Sequence, residues 1–385
     1  MEIKTYQPVP SEYYDSLNYP KEGKCSDIIF ISNSEADEYY NAALECFKVI
    51  DRATEWVIKN KKLGDIGIPE YMWNIIERTY NDFEHHPHMI GRFDFAGGLD
   101  GKPIKLIEFN ADTPFSIFEV STVQYALAKY HNLNPDEKQF NTLFEQLGEF
   151  FKFFVEKHSD IKAAFVNAAD GEDDLNTQII QEASLPYINS KYIHWTDLCI
   201  DANYGLCTTD KEESGEYIDD VFNTIFKMVP WDLLITEDPI MCKNIVELME
   251  RNPDITICNP PYALCYQSKK ILEVAYMLDP MNKYLLRTSS YPLNGIKCVA
   301  KPNFGREGAN IKIYGENQIV EEYTDGFYTD QPVIYQEKVE LNCHDGYYYQ
   351  AGVFISMEEP CGLGFRRSKN QIITTDDEMV GHIIK

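Results

Sequence analysis

The 385-residue sequence lacks any long hydrophobic run. No stretch approaches the roughly 20 uncharged apolar residues that a membrane-spanning helix needs, and the apolar run 150–155 is interrupted by Lys152. The first residues, Met-Glu-Ile-Lys-Thr-Tyr, do not show the basic stretch followed by an apolar one that marks a signal peptide. We therefore expect no signal peptide, no transmembrane span and no membrane partner.

Positive charge is also scarce. Lysine and arginine number 35 against 62 aspartates and glutamates, so the formal net charge is −27. Such a chain repels a phosphate backbone over most of its surface, and we expect no nucleic-acid partner. The acidity fits a cationic partner such as a polyamine or another amine. It fits equally well a surface that is charged only for solubility.

Closely spaced cysteines are missing as well. The ten cysteines are scattered, and the nearest two, Cys258 and Cys265, are seven residues apart, so there is no CxxC motif. This spacing argues against a zinc site and against a disulfide framework. We expect free thiols in a reducing cytoplasm.

What the chain does have is ample material for a folded core, with 44% apolar and 13% aromatic residues. Apolar periodicity predicts helices over 34–60, 70–86, 115–130, 139–157, 173–183, 217–228 and 268–278, with Ser34 and Asp37 as a capping box for the first. Strands are predicted over 90–95, 104–110, 163–166, 187–194, 297–301, 310–314, 333–338, 347–355 and 370–374. The acidic segment 210–220 is predicted to be a solvated loop. The middle alternates as in an α/β protein, and the part after about residue 265 is typical of an α+β arrangement of antiparallel strands.

The first candidate site is the predicted hairpin. Arg92 and Asp94 are two residues apart on one strand, and Glu108 and Asn110 are two apart on the next, so each pair points to one face. If the strands pair, the four side chains converge. Carboxylate and amide oxygens suit Mg²⁺ together with phosphate oxygens, and the guanidinium could hold an anion. The alternative is an ordinary charge pair on the solvent face of a hairpin.

Two further segments carry candidate residues. Residues 301–310 read Lys-Pro-Asn-Phe-Gly-Arg-Glu-Gly-Ala-Asn, a strand end followed by a glycine loop that lets backbone N–H groups approach phosphates. Residues 362–367, Gly-Leu-Gly-Phe-Arg-Arg, could place Arg366 in a cleft. Surface turns are the alternative for both segments. We interpret His85, His86 and His88 as a solvated turn, because their spacing around Pro87 is not that of a metal site.

These segments, in this order, resemble the glutathionylspermidine synthase family, the synthetase domain that also occurs in trypanothione synthetase and in stand-alone bacterial proteins. The resemblance covers most of the chain. The sequence segments that carry it are GRFDF (91–95), LIEFNADTP (106–114), SKKILEVAYMLDPMNKYLLRTS (268–289), AKPNFGREGAN (300–310), IYQEKVEL (334–341) and GLGFRR (362–367).

The resemblance implies a mixed α/β, ATP-grasp-like fold with a pre-ATP-grasp N-terminal region. It also implies an ATP- and Mg²⁺-dependent ligase that joins a small-molecule carboxylate to an amine through an acyl-phosphate. The implied parts are an N-terminal region with the metal-binding hairpin (1–135), an α/β pre-ATP-grasp-like part (136–262) and an ATP-grasp nucleotide-binding subdomain (263–385). The acid, the amine and the oligomeric state stay open.

Individual residues take roles from the same resemblance. The implied metal ligands are Asp94, Glu108 and Asn110. The implied catalytic residues are Arg92, for the acyl-phosphate and the tetrahedral species, and Arg366, near the transferred phosphoryl group and the substrate carboxylate. The implied ATP-binding residues are Lys269 (with Lys270 as the adjacent alternative), Lys301, Gly305, Arg306, Glu307, Gly308, Gln336, Glu337 and Val339.

One position departs from the family pattern. Phe115 stands where members that use glutathione have a small hydroxyl residue, which puts glutathione recognition in doubt. This departure motivates a second hypothesis, a non-catalytic ATP-binding protein on the same scaffold. A third hypothesis is a hydrolase that uses Asp94 and Glu108 as acid and base, but it gives no role to the lysines or to the glycine loop.

Overall fold

Helices and strands alternate along the chain, and the computed structural model describes residues 1–7, 9–10, 26–168, 171–212, 215–374 and 377–385. The strands are β1 (Glu2–Thr5), β2 (Asp27–Ile31), β3 (Gly91–Ala96), β4 (Lys105–Asn110), β5 (Ala163–Asn167), β6 (Ser190–His194), β7 (Cys199–Asp201), β8 (Gly205–Glu212), β9 (Gly215–Phe222), β10 (Thr224–Lys227), β11 (Thr256–Cys258), β12 (Thr288–Ser289), β13 (Cys298–Pro302), β14 (Lys312–Tyr314), β15 (Val320–Tyr323), β16 (Val333–Glu337), β17 (Asn342–His344), β18 (Tyr347–Ser356), β19 (Glu359–Ser368) and β20 (Glu378–Ile384). The α-helices are α1 (Asn33–Lys59), α2 (Trp73–Asn81), α3 (Gln124–Tyr130), α4 (Pro135–Lys138), α5 (Leu143–Lys157), α6 (Gly171–Ser184), α7 (Trp231–Glu237), α8 (Pro239–Arg251), α9 (Ala263–Gln267) and α10 (Ile271–Leu278). Short 3₁₀ helices cover Gly64–Ile66, Glu70–Met72 and Trp195–Asp197, and Glu119–Val123 is π-helical.

The largest sheet brings the two ends of the chain together. Its order is β1-β2-β20-β19-β18-β3-β4, with β17 also paired to β18. The predicted hairpin forms from β3 and β4, and β3 takes the tail strand β18 as its second antiparallel neighbour. The sheet therefore contains strands from the first and the third predicted parts of the chain, whose boundaries stay a prediction.

A second, parallel sheet has the order β11-β10-β5-β6. Its strand β10 is buried along its whole length because it pairs with β5 on one side and β11 on the other. The predicted helix over 217–228 is wrong: this part of the chain forms the end of β9 and all of β10. Its β-branched and aromatic residues suit a strand buried on both faces, and this placement overrides the local helical pattern.

The acidic segment 210–220 is also not the predicted loop. Apart from residues 213–214, which lie outside the described residues, it belongs to β8 and β9, the paired strands of a three-stranded sheet β7-β8-β9. Its acidic residues do not prevent pairing, because the hydrogen bonds of the ladder are made by the backbone. The charge pattern alone did not distinguish such a ribbon from a loop.

The fourth sheet, β12-β16-β13-β14-β15, is antiparallel, as predicted for the tail. The strand predicted over 370–374 is wrong, since this segment is irregular and the flanking β19 and β20 carry the pairing. No helix of the described residues combines the length and the apolar character needed to cross a membrane.

Helix α1 packs behind the large sheet and against α10. Its capping box is formed by Ser32 and Glu35, two residues before the predicted pair of Ser34 and Asp37. The Ser32 hydroxyl accepts from the Glu35 N–H, and the Glu35 carboxylate accepts from the Ser32 N–H. Buried residues such as Tyr39, Phe47 and Ile50 recur along its inner face and join the main core.

Candidate active site

The paired strands β3 and β4 build one wall of a cavity of about 940 Å³. In their register, Arg92 lies opposite Asn110 and Asp94 lies opposite Glu108. The strand period of two then places all four side chains on the same face. All four line the cavity, so the solvent-face alternative for this hairpin does not hold.

Arg92 and Asp94 form a buried bidentate ion pair on this wall. Arg92 Nε donates to Asp94 Oδ1 at 2.7 Å and Nη2 donates to Oδ2 at 3.0 Å. Arg92 Nη1 donates to the Phe115 carbonyl oxygen at 2.7 Å. Although burial opposes the charge, the carboxylates of Asp94 and Glu108 hold the pKa of the Arg92 guanidinium above its ordinary value. The side chain is a fixed cation with donors aimed at the cavity wall.

The oxygen-bearing groups of the hairpin converge at one point. Asn110 Nδ2 lies 3.1 Å from Asp94 Oδ2 and 3.5 Å from Glu108 Oε1. Burial would raise the pKa of Glu108, but Lys269 and Lys301 hold it at about 2, so Glu108 is an anion. Two carboxylates beside an amide fit the hard-oxygen preference of Mg²⁺, and turning the amide of Asn110 by 180° would present its oxygen.

The donor set also limits which kind of metal site the hairpin could form. The described residues contain no group of three or more His, Cys, Asp and Glu side chains that could hold a metal ion. The hairpin thus supplies fewer ligands than a closed protein cage, which suits a cation that keeps water and takes phosphate oxygens from a substrate.

Two lysines face the hairpin from other elements. Lys269, in the turn before α10, lies 3.3 Å from Glu108 Oε2 and donates from Nζ to the Gly305 carbonyl at 2.6 Å. Lys301, on β13, donates to Gln336 Oε1 at 2.8 Å, and burial lowers the pKa of its ammonium to about 8. Lys270 points away, to the Asp65 carbonyl, which favours Lys269 as the lysine of the site.

The glycine loop closes one side of the cavity through Gly305, Arg306, Glu307 and Gly308. Arg306 forms an ion pair with Asp232, and its Nη1 lies 3.5 Å from the Thr113 hydroxyl. Gly308 has φ +69°, and a Cβ there would lie 2.5 Å from the Ile373 carbonyl oxygen. The close approach of the loop to residue 373 therefore requires glycine.

The cavity also has an apolar end. Gln336, Glu337 and Val339 line the cavity, and their role in binding ATP stays a prediction. The apolar residues around them are Leu286, Val299, Ile311, Ile313, Leu341, Ile372 and Ile373. This end can hold a flat apolar ring, while the lysine end can hold phosphates.

Arg366 lies on β19 and reaches the same cavity as Arg92. Its Nη2 donates to the Thr374 carbonyl oxygen. Burial, and then the nearby Arg92, lower the pKa of its guanidinium from the ordinary value. The segment 362–367 is a buried strand and not a solvated turn, because β19 lies between β18 and β20.

The sequence did not predict the support behind the hairpin. Asp112 is fully buried, and its two oxygens accept from Lys227 Nζ and from the Trp231 N–H, each at 2.6 Å. Asn259 adds bonds from Nδ2 to the carbonyls of residues 90, 111 and 112. Asp112 extends the polar hairpin motif in the sequence, but Lys227 falls in the wrongly predicted helix, and no local pattern joins the two.

The histidine interpretation needs one correction. His85 is exposed, but His86 and His88 are buried, and burial lowers the pKa of each to about 4. His88 contacts the Ala111 carbonyl at 2.5 Å and packs beside Phe109 and Tyr266. The segment therefore belongs to the core behind the hairpin, and the prediction of a solvated turn holds only for His85.

Comparison with known proteins gives a consistent picture. Residues 11–385 match the family model for the glutathionylspermidine synthase preATP-grasp region. A Haemophilus influenzae protein provisionally named an acid–amine ligase is 26% identical, over 84% of this chain and 81% of its own. The Escherichia coli bifunctional glutathionylspermidine synthetase/amidase is 24% identical, over 91% of this chain and 58% of its own, and the Crithidia fasciculata trypanothione synthetase is 24% identical, over 86% and 53%.

Among solved structures, a glutathione synthetase-like effector from Globodera pallida in its apo form is similar, with a TM-score of 0.54 and 12% sequence identity. The likeness covers 92% of this chain and 88% of that one, and it concerns the fold alone. Together with the family match, it confirms the predicted mixed α/β, ATP-grasp-like fold with a pre-ATP-grasp region.

Proposed function

The chain belongs to the glutathionylspermidine synthase preATP-grasp family, and from this premise we propose that it is an ATP- and Mg²⁺-dependent acid–amine ligase. It forms an amide bond through an acyl-phosphate. The observation that carries the proposal is a single cavity lined by the oxygen-bearing hairpin, Lys269, Lys301, the glycine loop and Arg366. The chain spans little more than half of the E. coli and Crithidia relatives, so their activities enter only as support.

In the first step, ATP lies with its base at the apolar end and its phosphates against Lys269 and Lys301. Asp94, Glu108 and Asn110 would hold Mg²⁺, which neutralises charge on the phosphates when it is bound. An oxygen of the substrate carboxylate attacks the γ-phosphorus, and ADP leaves. Arg366 lies beside Arg92 on the same wall and can hold the incoming carboxylate.

In the second step, a neutral amine attacks the acyl carbon, phosphate leaves, and the nitrogen loses one proton. Negative charge builds on the former carbonyl oxygen during the attack. Arg92 is positioned to stabilise that charge, and losing one such contact typically costs about 3–4 kcal/mol of barrier. The fixed geometry of its guanidinium limits the reorganisation needed at that moment.

The substrates are a small-molecule carboxylate, such as that of a peptide, and a polyamine or another amine. Glu119, Asp377 and Glu378 also line the cavity, and their carboxylates suit a cationic amine. Phe115 also lines the cavity, and its large side chain limits which peptide substrates can fit. The proposed setting is a reducing cytoplasm, where free thiols are the ordinary state of cysteine.

The test is ADP release from the purified protein with ATP and Mg²⁺ over a panel of acids and amines. We expect turnover only when both substrates are present. Asp94→Ala or Glu108→Ala should abolish it while circular dichroism stays unchanged. Asp37→Ala, which removes an exposed carboxylate on α1, is the matched control. Turnover retained in either hairpin variant would contradict the assignment.

The second candidate is a non-catalytic ATP-binding protein, and the specific observation behind it is Phe115 in the cavity wall. It predicts that ATP raises the thermal midpoint while no pair of acid and amine releases ADP. The same panel, read in parallel by thermal shift, separates the two functions.

A further inference from the structure

Two cysteines outside the active site lie against each other. Cys199 on β7 is directly opposite Cys207 on β8 in the antiparallel register. Their sulfur atoms are 3.5 Å apart, and the Cys199 thiol donates to the Cys207 carbonyl oxygen at 3.2 Å. Among the residues that the structure describes, no other two cysteine sulfurs lie within hydrogen-bonding distance.

The backbone around the pair already has the geometry of a bridged hairpin. Directly opposed residues of an antiparallel pair have Cα atoms about 4.5–5.5 Å apart, inside the range of about 4.4–6.8 Å that disulfides span. The turn is short and fixed, since the Asp201 carboxylate accepts from the N–H groups of Asn203 and Tyr204. Rotation of the two side chains is enough to bring the sulfurs to bonding distance.

The two thiols also differ in their exposure to solvent, which decides which of them reacts first. Cys199 is partly exposed, whereas Cys207 is fully buried, and burial raises the pKa of the Cys207 thiol to about 11. A dissolved oxidant therefore meets Cys199 first. Cys207 then lies in direct contact with the modified sulfur and can resolve it.

We propose that Cys199 and Cys207 are a reversible redox-modification site that closes into a disulfide when it meets a small-molecule disulfide such as oxidised glutathione. Cys199 attacks that disulfide, forms a mixed disulfide and releases one small thiol. Cys207 attacks the Cys199 sulfur, forms the intramolecular S–S bond and releases the second thiol. The two protein thiols are oxidised, one small disulfide is reduced to two thiols, and the two protons pass to the leaving thiolates.

The site is independent of the ligase function, because neither cysteine lines the cavity. It refines the expectation of free thiols: among the nine cysteines that the structure describes, this pair responds to the redox poise of its surroundings and the other seven lie apart. Cys343, which is exposed and lies opposite Tyr348, has no such partner and serves as the contrast.

The test equilibrates the full chain in buffers of rising oxidised-to-reduced glutathione ratio, alkylates the remaining thiols and digests without reduction. Cleavage before aspartate separates the two cysteines, because Cys199 falls on peptide 197–200 and Cys207 on peptide 201–209. We expect the two peptides to appear linked as the ratio rises, and to separate again after dithiothreitol.

Single variants separate closure from simple thiolation. In Cys207→Ser, Cys199 should stop at the glutathione mixed disulfide. In Cys199→Ser, Cys207 should stay alkylatable only after unfolding. Cys343→Ser should leave the linked peptide unchanged. The oxidised wild-type chain should also melt about 2–5 °C higher than the reduced chain, since a short cross-link restricts the unfolded state, and Cys199→Ala should lack this shift.

Three outcomes would overturn the proposal. The first is a wild-type chain in which Cys199 accumulates only the mixed disulfide. The second is a chain in which both thiols stay fully alkylatable at every ratio. The third is a peptide linkage from Cys199 to a cysteine other than Cys207.

Discussion

Two buried ion pairs lie on opposite sides of the same hairpin, and only one of them borders the cavity. Arg92 and Asp94 lie on the cavity face, and Asp112 and Lys227 lie behind it, outside the cavity wall. All four side chains are less than 10% exposed. The cavity-side pair can exchange its partners for a ligand or for water, whereas the rear pair has no second set of partners. Burial alone therefore does not distinguish a charge that can contact a ligand from one that only stabilises the fold. The difference is whether the side chain borders the cavity.

The sharpest way to break this comparison is to remove one member of the rear pair. Lys227→Met leaves the Asp112 carboxylate buried with only the Trp231 N–H. We expect the free energy of unfolding to fall by about 3–5 kcal/mol, as measured by urea denaturation. Asp112→Asn combined with Lys227→Met should recover part of that loss.

The control for this change is the exposed pair of Lys59 and Glu55 on α1. Lys59→Met should alter the unfolding free energy by less than about 0.5 kcal/mol. Equal losses in the two variants would show that the rear pair is not supporting the hairpin.

The second change is made on the cavity side. Arg92→Lys keeps the charge but cannot hold both Asp94 oxygens and the Phe115 carbonyl together. We expect turnover to fall by about 100-fold or more, in line with the loss of an oxyanion contact. The thermal midpoint should move much less than in Lys227→Met, because water in the cavity can solvate Asp94. A variant that unfolds as readily as Lys227→Met would erase the difference between the two pairs.

The third prediction uses a neutral group buried away from the cavity. The Phe140 N–H donates to His382 Nε2 at 2.9 Å, and His382 Nδ1 contacts Gln124 Oε1 at 3.0 Å. Burial lowers the pKa of His382 to about 3, below the value of about 6.5 expected in the unfolded chain. The folded state therefore favours the neutral ring, and stability is lost as the pH falls below about 6.5.

That loss should amount to about 2 kcal/mol between pH 6.5 and pH 5. Denaturant unfolding of the wild type and of His382→Gln at each pH measures it, since the difference between the two curves removes the titration of the carboxylates. Parallel curves would exclude His382 as the source.

The smallest effect is expected at Lys270, the neighbour of Lys269 that points away from the cavity. Lys270→Met should change the dissociation constant of ATP by no more than about twofold, because Lys270 Nζ bonds the Asp65 carbonyl at the surface. Lys269→Met, which removes a cation beside Glu108 and Gly305, should weaken ATP binding by about tenfold or more. Calorimetric titration of both variants checks the assignment, and a reversed order would move the site to Lys270.

The hairpin was predictable because its information is local. Arg92, Asp94, Glu108 and Asn110 repeat at a spacing of two on adjacent strands, and a short turn between them leaves one register that brings them together. Helix α1 was predictable for the same reason, because apolar residues recur at helical spacing along its whole length. The resemblance supplied the other candidate residues, which line the same cavity and whose roles stay a prediction.

The support of the hairpin was not predictable, because its partners are distant in sequence. Lys227 and Asp112 are 115 residues apart, and Asn259 lies another 32 residues on from Lys227. The residues around Lys227 read as a helix, and only the neighbours β5 and β11 make them a buried strand. Local propensity is a weak guide where a segment is enclosed on both faces.

The position of β18 has a consequence for biosynthesis. Because β18 is the second neighbour of β3, the β3 edge of the hairpin stays unpaired in a growing chain on the ribosome until about 250 more residues have been made. Pairings of such long range close late and slowly. An incomplete nascent chain thus lacks the assembled cavity, and we expect the exposed β3 edge to need a chaperone during translation.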